Sequence, residues 1–152
     1  MWFMNHVTNP LVRLILRSPL HILISPALLL LTYRGRKSGK QYTLPVQYAQ
    51  KGAAIYIIPG MPEQKTWWRN LKGGAPVQVT LRGQVLAGEA SLLDPQADAA
   101  EMLAGVALYL QRFPGLAKYH NIRAEAGNQF NEADVRRAAQ TVVMIRVDLE
   151  QS

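Results

Sequence analysis

The 152-residue chain contains no cysteine. Disulfide frameworks, zinc–thiolate centres, cysteine-ligated iron–sulfur clusters and thiol nucleophiles are therefore excluded. The three histidines are scattered and have no ligand-like spacing to carboxylates, so we expect no metal site. Because a chain without cysteine fits a reducing compartment, we expect a cytoplasmic protein.

Acidic residues are missing from the first 62 positions, although the chain has ten Asp and Glu in total. The same stretch holds seven Lys and Arg, so the whole net charge of +7 resides there. Such a surplus attracts a polyanion, which could be nucleic acid, an acidic membrane surface or a phosphorylated cofactor. A solvated basic face is the simpler alternative. The missing carboxylates argue against paired-acid hydrolysis in this stretch.

Long hydrophobic runs are also missing. The most apolar stretch, residues 22–31, has ten residues interrupted by a serine and a proline, whereas a spanning helix needs about twenty apolar residues. Upstream, the Asn-Pro pair at 9–10 predicts the start of a short helix that carries Arg13 and Arg17 and ends at Pro19. This helix has two alternative positions: it packs against its own domain, or it lies on an anionic membrane surface.

Short apolar or alternating segments bounded by turn residues predict strands. Pro45 gives no ladder donor, so its strand must lie at a sheet edge or contain a bulge. The predicted strands cover residues 28–33, 41–48, 53–58, 77–81, 84–93 and 142–149.

Helices are predicted mainly in the later part of the chain. Thr66 precedes a brief helix over 67–71, and Asp94 with Pro95 begins a longer one that ends near Arg112. A less regular helical stretch covers residues 116–123, and an Asn-x-x-Asp capping box at 131–134 begins a helix to residue 140.

Together these elements indicate an α+β barrel of about six mainly antiparallel strands. We expect one domain, with an N-terminal helical segment (1–24) and barrel strands over 27–93. The helical region (94–140) is inserted before the last strand (141–149).

Residues 34–40 form a basic, glycine-bounded turn between two predicted strands. They do not form a phosphate-binding P-loop, because the glycine spacing is one residue too short and no Ser or Thr follows the lysine. We expect the turn to present Arg36, Lys37, the Ser38 hydroxyl and the free amide of Gly39 to an anion. A charged hairpin tip without a ligand is the alternative.

The brief predicted helix begins with two adjacent tryptophans, Trp67 and Trp68. Side chains that are neighbours on a helix point about 100° apart, so one ring can enter the core while the other covers a surface or a ligand ring. Core packing of both rings is the alternative. Because no hydrolase motif is present and few acid–base groups remain, a cofactor that supplies its own chemistry is attractive.

Four motifs, taken in order, resemble the deazaflavin-dependent nitroreductase family. The members of this family are small split β-barrel proteins related to flavin-binding, pyridoxamine-phosphate-oxidase-like barrels. The similarity covers about residues 9–93, and the order of the motifs is more specific than any one of them. The motifs are Gly-Arg-Lys-Ser-Gly at 35–39, Leu-Pro-Val-Gln-Tyr at 44–48, Lys-Thr-Trp-Trp-Arg-Asn-Leu at 65–71, and Pro-Val-Gln-Val at 76–79 followed by Leu-Arg-Gly at 81–83.

The resemblance implies an oxidoreductase that transfers a hydride from reduced coenzyme F-420 to an electron-poor apolar acceptor, such as a quinone, a nitroaromatic compound or an activated enone. This coenzyme is an 8-hydroxy-5-deazaflavin with a phosphodiester and an oligoglutamate tail, and such a polyanion suits the basic first part of the chain. FMN as the cofactor, and a flavin-binding or sequestering module without catalysis, are the alternatives. We expect no nucleic-acid partner, because basic charge and aromatics alone are generic features.

By position, the resemblance assigns nine residues to cofactor binding. The four in the basic turn would hold the phosphate and tail, three on the second strand would lie along the ring, and two would close the pocket. The proton would come from Tyr119, Tyr48 or water. Where family members often have Ser or Lys near the end of the third strand, this chain has Pro-Gly-Met-Pro at 59–62. The nine residues are Arg36, Lys37, Ser38, Gly39, Pro45, Val46, Tyr48, Trp67 and Asn70.

The resemblance also implies a partner, because split barrels of this kind often place the cofactor at a dimer interface. The apolar stretch at 22–31 has surface to bury, so we expect a homodimer. Peripheral binding to an anionic bilayer through the N-terminal helix is a competing use of the same region.

Overall fold

The computed structural model describes residues 27–127 and 129–150. The predicted N-terminal helix, with its predicted membrane contact, lies outside the described residues. None of the described helices is long and apolar enough to cross a bilayer. The elements, numbered in chain order, are β1 Leu28–Arg34, β2 Gln41–Gln47, β3 Ala49–Lys51, β4 Ala54–Ile57, a 3-10 helix Trp67–Leu71, β5 Ala75–Leu81, β6 Gln84–Leu92, α1 Ala99–Arg112, α2 Leu116–Tyr119, β7 Ala124–Glu125, β8 Gln129–Phe130, α3 Glu132–Thr141 and β9 Ile145–Leu149.

Seven of the described strands form one sheet in the order β2-β1-β5-β6-β9-β4-β3, and every pairing is antiparallel. The two edge strands, β2 and β3, are consecutive in the chain and are separated only by Tyr48. The sheet must therefore curl until its two edges meet at this residue. Pro45 lies on the edge strand β2, as predicted from its missing donor.

Strand β9 joins the two halves of the curled sheet. Val147 pairs with Ala90 of β6 on one side and with Ile55 of β4 on the other. In the strand order, β9 is therefore the one strand that pairs with both the half made of β2, β1, β5 and β6 and the half made of β4 and β3.

The buried side chains form two clusters. The first fills the barrel, where alternate residues of each strand point inward, as Leu29, Leu31 and Tyr33 do on β1. The second lies between the sheet and the helical layer, which we define as residues 94–144. In this layer the buried Met102, Val106 and Leu110 lie on one face of α1. Their spacing of four residues explains why α1 packs against α3.

The helix predictions differ from the structure mainly at the helix starts. The Asp94 carboxylate accepts bonds from the amides of Gln96 and Ala97 at 2.7 and 3.0 Å. It thus caps a separate turn, and α1 begins only at Ala99. The predicted helical stretch over 116–123 is helical only over α2, residues 116–119.

Two short pairings were not predicted. Strand β3 has three residues, and β7 and β8 form a separate ribbon of two residues each. Segments this short have too few residues to establish an alternating pattern.

Candidate functional site

The basic turn between β1 and β2 is closed by backbone hydrogen bonds that require glycine at two positions. The Gly35 amide donates to the Lys40 carbonyl at 2.8 Å, and the Gly39 amide donates to the Gly35 carbonyl at 2.9 Å. Gly39 has a φ of +69°, which favours glycine. A Cβ at Gly35 would lie 2.9 Å from Ser38 Oγ and 3.1 Å from the Tyr42 ring, so a side chain has no room there.

The amides that this turn offers to an anion differ from the prediction. The Gly39 amide is not free, because it closes the turn onto the Gly35 carbonyl. Instead, the amides of Lys37 and Ser38 donate to no residue that the structure describes. The Ser38 oxygen accepts from the Lys40 amide at 3.1 Å, which leaves its hydroxyl proton available. Adjacent free amides of this kind form an anion-binding concavity.

Asn70 connects the basic turn to the 3-10 helix. Its Oδ1 accepts from the Arg36 amide at 2.9 Å, and its Nδ2 donates to the Trp67 carbonyl at 2.8 Å. The Asn70 side chain therefore holds two walls of one cavity together.

The cavity beside the basic turn, here called the basic cavity, has a volume of about 670 Å³. Its aromatic wall consists of Tyr33, Tyr42 and Trp67. The ring of Tyr33 stacks on that of Tyr42 at 5.7 Å between centroids and lies 5.9 Å from that of Trp67. Burial, with a smaller effect of Tyr42, raises the pKa of Tyr33 to about 12. The Tyr33 side chain of this wall is therefore uncharged at neutral pH.

Three cations also line the basic cavity, and no carboxylate lines it. Arg36, Lys37 and Arg69 form no ion pair with any carboxylate that the structure describes. The guanidinium of Arg69 lies 5.3 Å above the ring of Trp68, which is itself half-buried. The cavity thus combines a flat apolar wall with three unpaired positive charges.

A second cavity of about 370 Å³ lies between the loop after β4 and the ends of α2 and α3. Met61 and Tyr119 lie on its walls and are exposed by 47% and 62%. His120 also lines this cavity, with its ring edge-on to Tyr119 at 5.1 Å. Burial lowers the pKa of His120, which favours the neutral imidazole at pH 7. The family resemblance implied a role for Tyr119, but no sequence pattern predicted this cavity.

One loop borders both cavities. Residues 59 and 61–64 line the second cavity, and Thr66 lines the basic cavity. The Trp68 indole donates to the Pro62 carbonyl at 3.1 Å and holds this loop against the 3-10 helix.

The structure brings together only part of the predicted site. Arg36, Lys37, Ser38, Trp67 and Asn70 line the basic cavity together. Gly39 shapes the turn from which three of these residues project.

Three predicted site residues on or beside β2 do not line either cavity. Val46 belongs to the barrel core, and Pro45 lies on the opposite face of the edge strand. Tyr48 is only 1% exposed, and the guanidinium of Arg112 lies 4.8 Å above its ring. This burial is at odds with both roles predicted for Tyr48, contact with the ring and proton donation. An inward strand position is equally typical of a core residue, which is why the sequence could not separate the two cases.

The curled antiparallel barrel with helices inserted before its last strand is the split-barrel fold of flavin-reductase-like proteins. An F-420-H(2)-dependent reductase, FDR-A, has this fold with a TM-score of 0.55 and 19% identity over 82% of this chain and 94% of that chain. A structure described as a domain-swapped dimer matches with a TM-score of 0.58 and 17% identity over 95% and 96% of the two chains. A protein of unknown function from Agrobacterium tumefaciens matches at 0.50 and 16% identity over 88% and 55%.

The family model of the F-420H(2)-dependent quinone reductases matches residues 19–121. The chain belongs to this family and is an oxidoreductase that uses coenzyme F-420, as the motifs implied. No curated protein matches the chain.

The residues of the basic cavity fit this coenzyme. Its anionic groups match the three unpaired cations and the free amides of Lys37 and Ser38, and its flat ring matches the aromatic wall. The absence of lining carboxylates removes the repulsion that a polyanion would meet elsewhere on the chain.

Proposed function

We propose that this protein binds reduced coenzyme F-420 in the basic cavity and reduces a quinone-like apolar acceptor in the second cavity. The observation that carries the proposal is the basic cavity itself, which is lined by three cations without carboxylate partners and by an aromatic wall. Reduced coenzyme F-420, when bound, supplies the hydride.

The polar side of the basic cavity holds the charged part of the coenzyme. Arg36 and Lys37 provide charge, while the Ser38 hydroxyl and the amides of Lys37 and Ser38 provide hydrogen-bond donors. Asn70 fixes the position of these donors through the Arg36 amide. The tyrosines and Trp67 exclude water from the side where the ring packs.

The second cavity suits an acceptor without charge. Met61, Pro59 and Pro62 provide an apolar lining, and the carboxylate of Glu63 opposes anionic ligands. The loop at 59–66 borders both this cavity and the basic cavity. The family to which the chain belongs favours a quinone over a nitroaromatic compound or an enone.

We propose Tyr119 as the donor of a proton to the reduced acceptor. A quinone that has accepted a hydride is a hydroquinone anion, and one proton completes the reduction. The Tyr119 hydroxyl bonds to no described residue and lies on the wall of the second cavity. We expect Tyr119→Phe to lower kcat more than it changes the binding of the coenzyme.

We also propose that the protein is a homodimer. The similarity to a structure described as a domain-swapped dimer supports this assembly. Sedimentation equilibrium tests it, and a monomer at all concentrations would contradict it.

Titration of the purified protein with coenzyme F-420, with FMN and with a single-stranded oligonucleotide tests the proposed cofactor site. We expect coenzyme F-420 to bind more tightly than the other two ligands. Reduction of menadione, a naphthoquinone, by the reduced coenzyme tests the activity. Equal or tighter binding of FMN, or no oxidation of the reduced coenzyme by menadione, would overturn the proposal.

A further inference from the structure

We infer that Met61 is a specificity-determining residue, whose strained backbone presents an apolar side chain to a flat, neutral acceptor in the second cavity. This inference rests on the proposed function of that cavity. The supporting observations are the backbone conformation of Met61, the exposure of its side chain and the other residues that line the cavity.

The backbone of Met61 has a φ of +49°, in the left-handed region that glycine adopts with least strain. Gly60 precedes it and does not have a positive φ. The strained conformation therefore falls on the residue with a large side chain and not on the neighbouring glycine. Strain of this kind in a loop beside a cavity is typical of functional positions.

The hydrogen bonds of the loop hold Met61 in this conformation. Its carbonyl accepts from the amides of Gln64 and Lys65, both at 3.1 Å. The Trp68 indole fixes the next carbonyl, that of Pro62. The loop thus determines where the Met61 side chain points.

The exposure of Met61 is unusual for its size. The described residues include three exposed large hydrophobic side chains, and two of them, Met61 and Tyr119, lie on the walls of the second cavity. The third, Val85, is 55% exposed at the start of β6 and lines neither cavity. Exposed apolar side chains that gather at a cavity are a mark of ligand binding.

The chemistry of the two walls defines the ligand class. A methionine thioether is polarizable and packs well against aromatic rings, and the Tyr119 ring offers a second flat surface. Glu63 lines the same cavity and repels anions. The pair therefore selects a flat, uncharged ring over a sulfonated or carboxylated one.

Met61→Gly tests the inference because stability and binding should respond differently. Glycine adopts a φ of +49° without strain, so the variant should unfold at a temperature no lower than the wild-type protein. Loss of the apolar side chain should weaken menadione binding by roughly five- to tenfold. Quenching of tryptophan fluorescence measures this binding without the coenzyme. Affinity for coenzyme F-420 should stay unchanged.

Two further variants serve as matched controls. Met61→Leu keeps an apolar side chain and should bind menadione within about twofold of the wild-type protein. Val85→Ala removes apolar surface at another exposed side chain, away from both cavities, and should not change binding.

An anionic naphthoquinone sulfonate should bind the wild-type protein more weakly than menadione does.

Each contrary outcome has a separate meaning. Unchanged menadione binding by Met61→Gly, or an equal loss in Val85→Ala, would overturn the role of Met61 and leave the proposed function intact. A lower unfolding temperature of Met61→Gly would also overturn it, since the side chain would then be part of the packing. If menadione failed to bind the wild-type protein or to oxidise the reduced coenzyme, the proposed function would fail, and the role of Met61 with it.

Discussion

The basic cavity and the helical layer use positive charge in opposite ways. Among the described residues, all five ion pairs lie after residue 100: three within the helical layer, one between that layer and β9, and one within β9. Arg36, Lys37 and Arg69 at the basic cavity have no carboxylate partner in that part of the chain. Positive charge in the helical layer stabilises the fold, whereas at the cavity it remains available to a ligand.

Asp134 shows how the helical layer uses its charges. This buried carboxylate accepts from the amide and the Nε of Arg123, at 3.0 and 2.8 Å, and from Arg137 at 3.0 Å. These bonds hold the pKa of Asp134 well below its usual range. Arg137 also donates to the Asn121 carbonyl at 2.6 Å. The Asp134 carboxylate and its Arg137 partner therefore hold the segment between α2 and α3, at Asn121 and Arg123, in place.

Asp134→Ala should have the largest effect on stability. Removal of this buried carboxylate leaves four donors of Arg123 and Arg137 without their acceptor, so Tm should fall by many degrees while the residual folded protein binds the coenzyme normally. Glu132→Ala is the matched control on the same helix, because its pair with Arg136 is exposed and contributes little. Thermal unfolding followed by circular dichroism compares the two variants. Equal Tm values would show that Asp134 does not anchor the layer.

Lys37→Ala should weaken coenzyme binding and leave stability nearly unchanged. A charge-assisted contact contributes about 1.5–3 kcal/mol, so affinity for coenzyme F-420 should fall by roughly ten- to a hundredfold with Tm nearly unchanged. Lys51→Ala removes an exposed cation from the same acid-free stretch, on β3, and should bind the coenzyme normally. Calorimetric titration measures both variants. An equal loss of affinity in the two would mean that only the net charge matters.

Asn70→Ala should have an intermediate effect through the Arg36 amide. Loss of a hydrogen bond of about 0.5–1.5 kcal/mol should weaken coenzyme binding by roughly two- to tenfold. In a double-mutant cycle with Lys37→Ala the two losses should not add, because Asn70 positions the turn that carries Lys37. If the two losses of binding free energy added strictly, the role of Asn70 in positioning the turn would be contradicted.

The smallest effect concerns pH. Burial lowers the pKa of His120, so the unfolded chain binds the proton more readily, and stability should fall as the pH drops below about 6.5. Asp134 has a lowered pKa as well, but its contribution is lost only below about pH 4. Tm measured between pH 7 and pH 5 should fall for the wild-type protein and stay level for His120→Gln. A parallel fall in both would assign the effect to other groups.

Local sequence patterns predicted those parts of the fold that local chemistry determines. The Asn131 side chain caps α3 through the Asp134 amide at 3.0 Å, as its spacing indicated. Pro45 lies on an edge strand, and the strands of the barrel lie close to their predicted positions. The ion pair between Arg123 and Asp134 could not be predicted, because the partners are eleven positions apart with the β7–β8 ribbon between them.

The candidate site was predictable only in its contiguous part. The basic turn and the brief helix after Thr66 each form one wall of the basic cavity, and both were found from short motifs. The second cavity joins the loop at 59–64 to α2 and to the residues after α3, so no local pattern indicates it. The burial of Tyr48 could not be predicted from a local pattern either, because it depends on how the sheet curls around this residue.

The position of β9 between β6 and β4 has a consequence for the order of folding. During synthesis the two half-sheets emerge first, and neither can complete its hydrogen bonds until β9 follows, more than fifty residues after β6 ends. Pairings this distant in sequence close slowly, and exposed strand edges are prone to aggregate meanwhile. We therefore expect nascent chains halted before residue 145 to be sensitive to protease, and chains that include β9 and are clear of the ribosome to become resistant in one step.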